Sequence, residues 1–290
     1  MHPLLEKQNN PENISLLKAA SVSYSEAKLL EVTFLRLMFF LAVVYLLIFV
    51  KIKNEEIKFA VSLFSFLFNI SMNVVVDFIK HKISNGALLK EEFDTRVFEL
   101  PWKFTVKKAT RIHAEKLAAK YHGIGLTNWY PENFSSSLPD EVIIGACQRI
   151  NAGWDIKIRK AFLGFLHFVI TLYSVLLVTF IFLFAVDWFT VLLILFSNLS
   201  FYVYFINQIR GHNAVIKTRQ NLEEILDGFL LVQKKIPTTE ILRDVQDEIL
   251  STRQSVTIVP DFYYRFFRKK HAASFEKFID EINNTSFQKN

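Results

Sequence analysis

The sequence predicts an all-α membrane protein with four transmembrane helices arranged as two hairpins, and helical middle and C-terminal regions on the cytoplasmic side. Three observations carry this expectation. Of 290 residues, 51% are hydrophobic, and these gather in four apolar blocks with the charges between them; a single soluble core would spread them at helical or strand period instead. The connections inside each pair of blocks are short, which forces antiparallel neighbours. Gly and Pro number only 8 and 7, too few turn formers for a chain of many short strands.

The N-terminal region, 1–32, opens a helix at Asn10-Pro11-Glu12, with Asn as the cap and Pro in the first turn. Ile14, Leu17, Val22, Ala27 and Leu30 follow at helical spacing, so this helix is expected to run into the first span. Roughly thirty polar or amphipathic residues precede the first apolar block, unlike a secretory signal, so the N-terminus is expected to be retained.

A helix needs roughly 20 mostly apolar residues to cross ~30 Å of hydrocarbon. Hairpin one, 33–80, holds a span from Phe34 to about Val50, with Arg36 placed to snorkel, and a span from Phe59 to Ile79. Hairpin two, 161–209, holds Ala161–Val186 and Trp188–Ile209, joined by a turn around Asp187. Lys80, Lys82 and Lys90 follow span two, Lys157, Arg159 and Lys160 precede span three, and Arg210, Lys217 and Arg219 follow span four. Positive flanks mark the cytoplasmic side, so both termini and the middle region are assigned there, against the mild dissent of Lys51, Lys53 and Lys58 in the first turn.

The cytoplasmic middle region, 81–160, has too little apolar pattern for a core of its own. It reads as a helix over Leu88–Val97 stopped by Leu100-Pro101-Trp102, a helix from the Thr110 cap to about His122, and a turn at Asn128–Pro131. A last helix from near Pro139 continues through Lys160 into span three and projects on the order of 30 Å below the bilayer. In the C-terminal region, 210–290, span four continues as an amphipathic helix through Leu222, Leu226 and Leu230 until Pro237. Ile241–Ile249 is a second helix, Ser251–Pro260 is extended or loop, and Phe262–Ile282 is a third helix.

Polar residues inside the spans recur at spacings of three or four: Ser62, Ser65, Asn69, Asn73 and Asp77 in span two, His167, Thr171 and Ser174 in span three, and Ser197, Ser200, Tyr204 and Gln208 in span four. Two readings are open: hydrogen-bonded glue within one monomer, or, for Asn69, Asn73, Asp77, His167 and Thr171, a wet path lined by several copies. Asp77 is close enough to the cytoplasmic end to be simply solvated there.

The sequence contains stretches that form a recognisable set. They are Gln8–Asn13 with Tyr24–Lys28, Glu91-Glu92-Phe93-Asp94 with Leu100-Pro101-Trp102, Trp129-Tyr130-Pro131, Cys147–Asn151 with Trp154-Asp155, and Val259-Pro260-Asp261 with Tyr264 and Arg268. In order, spacing and layout the chain resembles the SMODS-associating four-transmembrane effector family of bacterial cyclic-oligonucleotide antiphage systems. The resemblance implies a nucleotidyltransferase as functional partner, which senses infection and makes a cyclic oligonucleotide. It implies that this chain receives the signal and that its activation damages the inner membrane; the active arrangement is expected to be a homo-oligomer.

A cyclic oligonucleotide requires cations for its phosphates and flat side chains for its bases. The middle region offers Trp102, Lys108, Tyr130, Arg149, Asn151, Trp154 and Asp155. The competing reading is that the tryptophans pack juxtamembrane helices and that Arg149 pairs with Asp155 or Glu92. The basic aromatic run Tyr263–Lys270 suits either anionic lipid or closure of the ligand site.

Nothing in the sequence points to catalysis: there is no paired-histidine metal motif, no phosphate-binding Gly loop and no nucleophile elbow. No cofactor, no metal and no DNA or RNA polymer is expected. The net charge of +6 bears on topology and lipid contact. The lone Cys147 excludes an internal disulfide. A membrane scaffold that anchors a partner, or a membrane-bound enzyme acting on lipid or nucleotide, are the alternative functions.

Overall fold

The computed structural model describes residues 2–288 except 104, 107, 109, 185 and 256, together with all their side chains except those of 69–73, 200, 264, 265 and 267–273. Among the expectations above, those on Asn69, Asn73, Ser200, Tyr264, Arg265 and Phe267 to Lys270 fall on side chains outside the described set.

The described residues are helical apart from loops and one isolated parallel bridge between Lys235 and Gln288. A short helix α1 (Pro3–Glu6) leads through a 3₁₀ turn into α2 (Pro11–Lys51), and α3 (Glu55–Phe98) follows a three-residue loop. Then come α4 (Arg111–Ala118), α5 (Asp140–Leu183), α6 (Trp188–Asp227) with a π-helical extension Gly228–Gln233, α7 (Thr239–Arg253) and α8 (Asp261–Asn283). Four helices of 41, 44, 44 and 40 residues therefore dominate the molecule. At 1.5 Å per residue each is about 60 Å long, twice the hydrocarbon thickness.

Their ends are locally encoded. Asn54 caps α3 by accepting from the amides of Glu56 and Ile57, and Asp187 caps α6 by accepting from Thr190. Thr110 caps α4 as expected, but that helix stops at Ala118, short of His122. Asn10 precedes α2 without a side-chain capping bond. The sequence reading began a separate helix at Leu88; the structure runs α3 unbroken from Glu55 to Phe98. Gly86 is no breaker there, because α3 passes so close to α2 that a methyl group at Gly86 would lie 3.1 Å from the Tyr24 ring. Glu99, in a left-handed conformation at φ 53, ends α3.

α2 packs along α3 and α5 along α6, and α6 joins the pairs by touching both α2 and α3. Among the described residues two helices, α2 and α5, are long and apolar enough to cross a membrane. α6 makes a third if its two halves are one span.

The polar ends do not form separate bodies. Leu5, Leu17, Phe93, Ile143, Leu242 and Ile282 belong to one buried cluster, so the N-terminal, middle and C-terminal regions share a core. Residues of the middle region contribute to this common core. Inside the apolar segments a second device holds the helices together. Ser65 donates to the Ser197 carbonyl at 3.0 Å, Ser197 donates to Ser62 at 3.2 Å, and Ser174 meets Tyr202 at 3.1 Å. Tyr173 donates to Asn198. This part of the polar stripe is internal glue.

Candidate functional site

Below the apolar segments the four long helices enclose two networks of buried charge. The first lies between α3 and α7. Asp94, fully buried, accepts from Arg253 at 2.5 Å, from the Tyr130 hydroxyl at 2.6 Å and from Gln246 at 3.2 Å. Glu91, one helical turn earlier, accepts from Arg243 at 2.6 Å and Gln246 at 2.7 Å. Burial pushes the Glu91 carboxyl up, and the hydrogen bonds from Arg243 and Gln246 oppose that shift. Burial, reinforced by the charge on Asp94, holds the Tyr130 hydroxyl far above its ordinary value.

The second network lies between α5 and α6. Arg159 donates to Asp155 at 2.8 Å, to His212 Nδ1 at 3.0 Å, and to the carbonyl and hydroxyl of Thr257 at 3.1 and 3.0 Å. Arg219 donates to Asn151 at 2.9 Å and stands 3.7 Å from Asp155. A guanidinium can only donate, so Nδ1 of His212 is the acceptor and its ring proton sits on Nε2. Burial, then the Arg159 charge, pushes His212 down to about 3 although Asp155 opposes this. Burial would raise Asp155, but Arg159 and Arg219 outweigh it and the carboxyl is held below its ordinary value.

One segment ties both networks to every long helix. Arg253 reaches Asp94 on α3, and Thr257 receives Arg159 from α5. Ile258 packs with Ala27, Ile79 and Ile83 of α2 and α3, while Val259 packs with Phe34, Phe162 and Phe205 of α2, α5 and α6. Asp261 pairs with Lys28 of α2. α7 runs to Arg253, three residues into the stretch expected to be extended or loop, and Thr257, Ile258 and Val259 beyond it form a strap across the bundle beside the apolar segments. Gly211 on α6 is required for it, because a methyl group there would collide with the Thr257 side chain.

The residues singled out for ligand contact lie in three places. Arg149, Asn151, Trp154 and Asp155 come together on α5. The Arg149 guanidinium grips Asp227 through two bonds of 2.8 and 3.2 Å, lies 3.2 Å from Glu223 and covers the Phe278 ring at 4.4 Å. Trp154 packs on Phe275 with ring centroids 5.5 Å apart, and Lys157 covers the same ring at 4.7 Å. Where α5, α6 and α8 meet, Arg149 and Lys157 thus cover two buried phenyl rings, Phe278 and Phe275. Asn151 and Asp155 stand behind it in the second network. Trp102 and Lys108 form a separate pair in the loop before α4, 5.0 Å apart, with the indole donating to the Val106 carbonyl at 2.7 Å. Tyr130 is interior, against Phe93 and Phe98.

The partners foreseen for Arg149 are corrected. Asp155 is taken by Arg159 and Arg219, and Glu92 pairs with Arg96 at 2.6 Å. Glu223 and Asp227, spaced i,i+4 on α6, were the legible signal for a cation facing them, as Asp155 and Arg159 were for each other. Missed altogether were Arg243, Gln246, Arg253 and His212, polar residues that fold inward from helices, and Thr257 in the segment after α7. A groove of about 350 Å³ between the start of α2, the end of α3 and α4 holds Arg96 and Arg111 among Glu12, Glu92 and Glu115. Its carboxylates outnumber its cations, so it does not favour a phosphate.

Asp77 is exposed near the end of its apolar segment. His167 and Thr171 are exposed on α5, while Ser174, on the same side of the helix, is half-buried against Tyr202.

A protein whose long helices carry membrane-grade apolar stretches out of one charged bundle is a helical membrane protein with a juxtamembrane bundle. This chain belongs to the SMODS-associating 4TM effector domain family, whose model matches residues 2–282. It is also similar to a Bacillus cereus (strain VD146) protein named a probable CBASS effector molecule, with 27% identity over 186 residues. That match covers 61% of this chain and 62% of the relative. No solved structure matches the chain.

Proposed function

We propose that the chain is a membrane effector of an antiphage defence system. It receives a cyclic oligonucleotide made by a partner nucleotidyltransferase, oligomerises and permeabilises the bacterial inner membrane, without catalysing a reaction. Its four spans form two hairpins, with both termini and residues 81–160 in the cytoplasm. The family's description and the name of the Bacillus cereus relative support this reading.

The observation that carries it is the continuity of all four long helices from apolar segment into charged bundle. A ligand that changes helix packing in the bundle displaces the spans as levers, by as much as its affinities for the two arrangements differ. Arg149, Trp154 and Lys157 form the contact surface and rest on the buried rings of Phe275 and Phe278. Asn151 and Asp155 hold the guanidiniums behind it, and Trp102 and Lys108 form an outlying rim. Arg149 is held by Glu223 and Asp227 in the resting protein, so a phosphate competes with these carboxylates and loosens α5 from α6. The hydrophobic surface of the spans faces lipid.

Calorimetry of the detergent-purified protein against cyclic di- and trinucleotides tests the site. Losing one charge-assisted phosphate contact costs about 1.5–3 kcal/mol, so Arg149→Ala should weaken binding at least tenfold while the protein still elutes as a folded species. Unchanged binding in a folded Arg149→Ala protein removes that residue from the site.

A further inference from the structure

Two half-buried polar side chains that neither charge network uses lie in the field of both. Lys90 stands on α3, one turn before Asp94, and its ammonium has no carboxylate partner among the described residues. Its neighbour is the Trp129 ring, whose centroid lies 4.2 Å from Nζ. Arg253 and Asp94 of the first network and Arg219 and Asp155 of the second all act on its charge. Tyr24 on α2 lies in the field of Arg253, Arg219 and Asp155 as well, and its hydroxyl has no hydrogen-bond partner among the described residues.

These groups are held from both sides. Trp129 sits in a turn tied to the N-terminal segment: the Tyr130 amide donates to Gln8 at 2.7 Å, and the Asn128 amide donates to Asn9 at 2.9 Å. Trp129 is 39% exposed, so the indole over Lys90 marks the side open to solvent. Tyr24 lies against Gly86, one turn before Lys90, where a Cβ would stand 3.1 Å from its ring. On the inner side Arg253 uses Nη1 for Asp94, while its Nη2 is buried with no hydrogen-bond partner among the described residues.

The electrostatics ask for an anion. Burial, then the Arg253 charge, pushes the Lys90 ammonium down to about 7 although Asp94 and Asp155 oppose this. Burial pushes the Tyr24 hydroxyl up to about 12, so it keeps its proton and can donate. With Arg243 matched by Glu91, the cations Lys90, Arg159, Arg219 and Arg253 stand against the carboxylates Asp94 and Asp155 among the described residues. An excess of buried positive charge is costly until an anion offsets it. An ammonium, a guanidinium nitrogen and a phenol here offer donors, so the complement is an oxyanion that accepts from all three, and a phosphate group has the oxygens to do so.

We propose that Lys90, Tyr24 and Arg253 form an interior site for a phosphate group, entered past Trp129. It goes beyond the surface around Arg149, with which it shares no residue. The phosphate is either the free ion or part of a nucleotide. Once bound it ties α2, α3 and α7 together.

Thermal melts of the full-length protein in detergent test this, in phosphate against chloride at matched ionic strength. A ligand that binds only the folded state raises the midpoint, by about 3 °C at ten times its dissociation constant. The wild type and Arg111→Gln, which removes an exposed cation, should both show the rise. Lys90→Met and Tyr24→Phe should lose most of it. In chloride Lys90→Met should melt no lower than the wild type, because an unmatched charge has gone from the interior. A second arm replaces phosphate with a cyclic dinucleotide. A Lys90-dependent rise with phosphate assigns the site to the free ion, and one with the dinucleotide alone assigns it to a nucleotide's phosphate; either supports the proposal. No rise under either ligand, or equal rises in wild type and Lys90→Met, overturns it. So does a Lys90→Met protein that melts lower than the wild type by the same amount in every buffer, the mark of a structural cation over Trp129. The phosphate arm needs no signal, so its failure leaves the effector reading standing, whereas a Lys90-dependent rise in a protein that never permeabilises membranes keeps the site and removes that reading.

Discussion

Breaking the ion pair between Arg253 and Asp94 should damage the molecule more than any surface charge change. Asp94 is fully buried and Arg253 nearly so, and their nitrogen and oxygen lie 2.5 Å apart. Arg253→Ala leaves the carboxylate with Tyr130 and Gln246 as donors but no compensating charge. Removing one partner of a buried pair costs about 3–5 kcal/mol, because the remaining charge is stranded out of water. The cost is compounded here because Arg253 anchors the strap that carries Thr257 and Ile258. A loss of that size lowers the melting temperature of a protein this large by on the order of 10 °C. The assay is a thermal melt of detergent-purified protein followed by size-exclusion chromatography. Asp94→Asn in the Arg253→Ala background should recover part of the loss, since the amide needs no counter-charge. A loss below about 1 kcal/mol for Arg253→Ala, the range of exposed pairs, would refute the argument that this network is a buried support.

Two further outcomes follow from the geometry. His212 is held at about 3 against an ordinary 6.5, so the unfolded chain takes up a proton that the folded one refuses. The stability from this group is present above 6.5 and lost as pH falls toward 3. Between pH 7 and 5 the wild type should lose about 2 kcal/mol more than His212→Gln, read as the difference between melts at the two pH values. Topology is the other: Ser136 is exposed in the loop before α5, so a cysteine placed there should stay unlabelled by an impermeant maleimide in intact spheroplasts and become labelled after lysis.

The long helices were legible because composition and spacing speak directly to helices. Asn10-Pro11 opens α2, Thr110 caps α4, and the helix begun near Pro139 continues into the apolar segment as α5. The same signals understated α3, where Gly86 looks like a weak point in sequence yet serves as the seat for Tyr24. The candidate site was legible only in part. Arg149 and Trp154 stand out in the sequence as a cation and an indole close together on one helix. Their neighbours Phe275, Phe278 and Asp227 are more than 70 residues away in sequence, and only tertiary packing brings them in. Tyr130 looked like a ligand platform among aromatics, but its hydroxyl completes Asp94 in the interior. The strap was invisible as a device: Thr257, Ile258 and Val259 read as an ordinary loop, and their importance lies in the four helices they touch.

Reconstitution tests the central claim most directly. The protein in liposomes loaded with a small dye should remain tight until its cyclic oligonucleotide is added, and then release the dye. Arg149→Ala should suppress the release at ligand concentrations that saturate the wild type. Dye release that is the same with and without ligand, or ligand binding by the wild type with no release at any protein density, would contradict the account that a signal bound at the charged bundle opens the membrane.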